Sequence, residues 1–276
     1  MRTKAICDLC DLPDAEFFTE IASGLGHVLQ NAERLLAGAH ILAERDHAEG
    51  ARILRGFGEE EAAKYLILLD AVRCPRSNRQ LMRRQLWRFY DHLAKGIYAT
   101  CCNYQPATFG ELAKWLERDC QKFYLDGPKD DDWIFNNAIL SWREQRIYVD
   151  YVETDLGHEW IVPIPTPLIG IASGVLRVVG ALHAVGCATP ELLALIARSW
   201  RPIQMTEDFT RDRLKEANNQ MLREMEAAGL LHEQPGATYR NIVDEWFFPL
   251  CSLPLKLNGV DRERLKELQG RSYPDW

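Results

Sequence analysis

From Asp14 to Leu42 apolar residues return at steps of three, four or seven: Phe17, Phe18, Ile21, Leu25, Val28, Leu29, Ala32, Leu35, Leu36, Ala39 and Leu42. That is the period of an α-helix with one side turned to a core, sustained for far longer than a strand would run. Gly24 and Gly26 lie inside it and mark where it would divide into two helices. The same period returns from about His47 to Val72, in Ile53, Leu54, Phe57, Ala62, Tyr65, Leu66 and Leu69. A turn over Cys74-Pro75-Arg76-Ser77-Asn78 follows, because proline disfavours helix in the residue before it.

A third helix is expected over about Arg79 to Cys102 and a fourth from near Phe109 to before Gly127-Pro128. Asp130-Asp131-Asp132 brings carboxylates to the start of a fifth, which would run to about Arg146. There the period changes. Ile147, Val149, Tyr151 and Val152, then Trp160, Ile161 and Val162 after Gly157, read as a short hairpin or extended segment near 147–163. Helices are expected again over about 166–185, 189–200, 207–228 and 239–248, with Gly186 and Gly229 as C-caps and Thr206 or Asp208 as an N-cap. The fold class is therefore mainly α, a helical bundle over residues 1–165 with a helical C-terminal extension over 166–276 packing on it.

With 47% hydrophobic residues in 276, the chain can bury a sizeable core. A net charge of -7 excludes a protein that coats nucleic acid with its whole surface, so any such contact must be local. No apolar run reaches the roughly 18 residues of a membrane span. The best stretch, 163–185, is broken by Arg177 and His183. Met1-Arg2-Thr3-Lys4 leads into no apolar signal core, and eight cysteines are too sparse for a disulfide scaffold. The expectation is a cytoplasmic protein with thiols, no membrane partner and no cofactor. Cys7 and Cys10 form a lone Cys-x-x-Cys, and a structural zinc needs two more ligands, so no metal is expected.

Three polar constellations stand out. Glu60 and Glu61 precede Lys64 by four and three residues, a helical pairing distance, inside a helix otherwise apolar. Between Arg76 and Lys95 there are six Arg or Lys against one Asp, and Arg84, Arg88, His92 and Lys95 fall on one helical face, with Arg83 beside them. Histidine is the side chain that titrates near neutral pH, which suits His92 to proton transfer beside phosphate-binding arginines. Trp87, Phe89 and Tyr90 in the same stretch can stack bases or enter the core. Third, Arg143-Glu144 runs through Tyr148 and Asp150 to Tyr151, a charged helix end entering an extended piece. Each has a plainer reading as a solvated face, an ion pair or a helix terminus.

Taken in order, Glu60-Glu61-Ala62-Ala63-Lys64, His92-Leu93-Ala94-Lys95, and Arg143-Glu144 through Tyr148-Val149-Asp150-Tyr151 resemble the AbiV family of bacterial abortive-infection proteins. The preceding helix, Asn31 to Ala39, shares that look, and the likeness covers roughly residues 28–165. The resemblance implies a HEPN-like helical domain, a homodimer, and a role in anti-phage defence through loss of protein synthesis. Many HEPN-like domains are RNases in which four to six residues separate an arginine from the histidine that follows it. This chain departs from that pattern: three residues separate Arg88 from His92 and seven separate Arg84 from it.

Two readings follow. In one the chain is a metal-independent ribonuclease, with His92, Arg88 and Lys95 catalytic, Arg83 and Arg84 holding RNA, and Glu60, Glu61, Lys64, Arg143, Glu144, Tyr148 and Asp150 as a supporting polar network. In the other it is a non-catalytic interaction module in which those residues fix helix register while a phage or host protein binds elsewhere. Glu60, Lys64 and Arg143 are expected in one cluster between helices. Surplus apolar surface on the first helix is expected to pair two copies.

Overall fold

The computed structural model describes residues 4–120, 149–154, 157–162, 173–232 and 236–255. A short 3-10 helix, Ile6–Asp11, precedes α1 (Asp14–Glu44) and α2 (Ala48–Arg73), which form a long antiparallel hairpin. The turn between them is closed by Asp46 at φ 61°, with its N–H on the Ala43 carbonyl and the His47 N–H on that of Leu42. This is the glycine-type helix stop with aspartate in its left-handed position, a conformation Asp tolerates better than most residues. α1 does not divide at Gly24 and Gly26. Ile21, Leu25, Val28 and Leu29 bury one continuous stripe, which outweighs the roughly 1 kcal/mol that each helical glycine costs.

The second half of α2 is the centre of the molecule. Every residue from Tyr65 to Arg73 is buried, as a helix without a polar face requires. α1, α3 (Arg79–Trp87) and α4 (His92–Cys101) pack around it, and so do α6 (Gly174–Ala184) and α7 (Pro190–Trp200). The remaining elements are α5 (Phe109–Cys120), α8 (Arg211–Ala227), α9 (Ala237–Glu245) and an antiparallel hairpin of β1 (Asp150–Thr154) and β2 (Gly157–Ile161). Tyr151 pairs with Trp160 across it. Gly186 and Gly229 take positive φ just past α6 and α8, as C-caps do. α8 is capped by Thr210, whose side chain accepts from the Arg213 N–H, and not by Thr206 or Asp208.

One apolar core runs from Phe17 to Leu255, drawing on both halves of the chain. α7 packs against α1, yet part of the surplus apolar surface that argued for a second copy stays open, with Ile41 50% exposed. Among the described residues no helix is long and apolar enough to cross a membrane.

After α9 the chain crosses back over α2, α3 and α4 as a strap, residues 246–253, held by a buried polar network. Asp70 Oδ2 accepts from the Tyr98 hydroxyl and, at 2.8 Å, from the Leu250 N–H, while Oδ1 takes the Arg73 guanidinium. Arg73 donates to the Phe247 carbonyl and lies between the rings of Trp200 and Trp246, 4.9 and 4.2 Å from their centroids. Gln85 donates to Tyr98 and to the Ile67 carbonyl, and accepts from Arg88, which also donates to the carbonyls of Leu250 and Leu253. Such groups are stable inside a protein only when every charge has its partner.

Candidate functional site

The expected third helix breaks in the middle. α3 ends at Trp87, a 3-10 turn covers Arg88–Tyr90, and Asp91 starts α4 by accepting the Ala94 N–H on its carboxylate at 3.2 Å. A carboxylate at that position satisfies a free helical N–H and meets the positive end of the helix dipole. The break turns the chain, so Arg84, Arg88, His92 and Lys95 do not form one stripe. Arg88 points inward, 4% exposed, into the strap network. Arg84 donates to the carbonyls of Cys251 and Ser252. Arg83 is exposed.

The first turn of α4 instead presents His92 and Lys95 to α2. His92 Nδ1 lies 2.8 Å from Glu60 Oε2, Lys95 Nζ lies 2.9 Å from the same oxygen, and the two nitrogens are 3.1 Å apart. Glu60 and Lys95 are mostly buried, with side chains 15% and 6% exposed, whereas the imidazole is 48% exposed. Burial acts to raise the Glu60 pKa, but hydrogen bonds and charge from Lys95, then from His92, outweigh it, and the carboxyl sits below its ordinary value. An ionised Glu60 makes both nitrogens donors around one acceptor. Nδ1 then carries the proton and the lone pair of a neutral imidazole is on Nε2.

The other expected partners sort differently. Lys64 pairs with Glu61 rather than Glu60, and its ammonium stands 4.8 Å from the centre of the Phe89 ring. Trp87 is 46% exposed and packs edge-on to Tyr90, so it is not a core residue. Asp150 opens β1 opposite Ile161. Arg143, Glu144 and Tyr148 lie outside the described residues, as does any contact of Arg143 with Glu60 or Lys64. Cys7 and Cys10 are free thiols, both raised in pKa chiefly by burial. Among the described residues no three His, Cys, Asp or Glu side chains gather as metal ligands.

The structure adds Asp70, Arg73, Gln85 and Tyr98, which sequence reading passed over. Their signal was available: Asp70 and Arg73 interrupt an unbroken apolar run, Leu66-Ile67-Leu68-Leu69 before and Ala71-Val72 within. Charges so placed are buried, and buried charges are paired. Comparison with family models, characterised proteins and solved structures gives no match to this chain.

Proposed function

We propose that the chain is a bacterial abortive-infection effector that arrests phage growth by cutting RNA without a metal ion, with His92 as the proton-transfer group. The observation that carries this reading is the Glu60–His92 pair on a half-exposed ring. A carboxylate on Nδ1 holds the imidazole in one tautomer and one orientation, with Nε2 as the base. Nε2 takes the proton of a ribose 2′-hydroxyl. The 2′-oxygen then bonds to the neighbouring phosphorus, the bond from phosphorus to the 5′-oxygen breaks, and the imidazolium returns the proton to that oxygen. Lys95 balances the Glu60 charge, which would otherwise stand buried beside a phosphate. The likeness of Glu60-Glu61-Ala62-Ala63-Lys64 and His92-Leu93-Ala94-Lys95 to AbiV motifs supplies the defence role. Pairing of two copies belongs to the same proposal, and Ile41, on the surface that suggested it, is 50% exposed.

A second reading rests on a different observation. Arg84 and Arg88, the cations that would hold the scissile phosphate, give guanidinium nitrogens to strap carbonyls. That favours a non-catalytic protein that binds a phage or host protein. One experiment separates the two: plaque counts and total-RNA sequencing of infected cells carrying wild type or His92→Ala. The catalytic reading expects His92→Ala to lose protection and the RNA cuts together, with the thermal midpoint nearly unchanged. Full protection by His92→Ala would sink it.

A further inference from the structure

Beside the α3–α4 break a cleft of about 880 Å³ opens between α3 and Pro254-Leu255, and it reaches Asp91, one residue before His92. Its volume is that of a site for one small ligand or one unit of a chain. Arg79, Arg83 and Trp87, four residues apart and hence on one helical face, all line it.

We propose that this cleft binds a nucleotide, with the base against Trp87 and the phosphate held by Arg83 and Arg79. Trp87 leaves 46% of its surface uncovered and is steadied by the edge of Tyr90, 5.6 Å between centroids. A fixed, exposed indole in a concave site is a platform for a flat ring. Arg83 is exposed and has no carboxylate partner among the described residues. Arg79 has one, Asp11, but both are largely exposed, and such pairs are held weakly enough to exchange for a phosphate. Arg84 is fixed at the wall by its bonds to Cys251 and Ser252. The acidic group in the lining, Asp91, is engaged as the cap of α4. The Cys7 thiol, its pKa raised by burial against the pull of Arg83, adds no negative charge. A purely apolar ligand would leave the guanidiniums unused, and a bare anion would leave the indole unused. A phosphorylated base uses both. The site stands whether or not His92 cleaves RNA.

Free nucleotides and single-stranded RNA share this chemistry, so both are probed. Calorimetry with AMP and with inorganic phosphate, and anisotropy with a fluorescent oligouridine, are run on the full chain as wild type, Trp87→Ala, Arg83→Glu and His92→Ala. Trp87→Ala should weaken AMP by roughly 5- to 150-fold, the stacking contribution of one base, and leave inorganic phosphate unchanged. Arg83→Glu should abolish both, and His92→Ala should change neither. Oligouridine binding much tighter than AMP through the same residues would mark an RNA strand as the source. Comparable affinities would mark the free nucleotide. Absence of binding by both AMP and oligouridine overturns the proposal. So does binding that survives Trp87→Ala and Arg83→Glu undiminished. Both side chains are exposed, and an unchanged thermal midpoint confirms that the variants fold. If the ribonuclease reading fails, it does so in the protection assay with His92→Ala, which leaves these affinities untouched.

Discussion

At Glu60 two opposed forces meet on one carboxyl group. Burial penalises its charge, and the ammonium of Lys95 with the imidazole of His92 more than restores it. The consequence has a definite sign. In the unfolded chain the carboxyl titrates near ~4.3. In the folded chain it titrates lower, so between the two values the unfolded state holds more protons and stability rises with pH. The Glu60 contribution is thus complete above the unfolded value and is lost as pH falls through the folded one. Calorimetry from neutral pH down to about 3 should show the gap between wild type and Glu60→Gln closing at the acid end. A gap that stays constant would mean that the charge of Glu60 contributes nothing. The members of this cluster were legible, because Glu60, His92 and Lys95 each stand at helical spacing in a motif. Their pairing was not. Helical spacing predicts neighbours within one element, and offered Lys64 as the partner of Glu60. The observed partners lie 32 and 35 positions away, on a helix whose orientation depends on a break.

That break is the main lesson at the scale of elements. The apolar period from Arg79 to Cys102 is continuous enough to read as one helix, yet α3 and α4 are separate. Arg88 is drawn into buried hydrogen bonds that a straight helix would not reach, and Asp91 makes a new start available. The one aspartate in this stretch of cations is a cap. Asp91→Ala should therefore cost about 0.5–2 kcal/mol of stability, the usual worth of an N-cap, measurable by urea unfolding. An unchanged midpoint would show that α4 starts without help from Asp91. Elsewhere the helices after residue 173 were legible to within a few residues at most ends, because Gly186, Gly229 and Pro190 punctuate them. The hairpin was legible from Tyr151 and Trp160, which face each other across it.

For the molecule as a whole, sequence patterning identified a mainly helical protein. It said little about how the two halves meet, because the strap carries its message in backbone carbonyls, which have no residue type to read. Arg73, Arg84 and Arg88 all end on such carbonyls between Phe247 and Leu253. Asp70 closes the arrangement from the other side through the Leu250 N–H, 180 positions along the chain. This gives synthesis an order. A ribosome that has delivered α1 and α2 has delivered a carboxylate and a guanidinium meant for a dry interior, but not the peptide groups that complete their bonding. Until the strap emerges, the nascent bundle must leave Asp70 and Arg73 wet and its centre open. Chains ended after Glu245 should accordingly be cut by protease within the α2 segment under conditions where chains reaching Leu255 resist. Equal resistance would show that the bundle locks before the strap arrives.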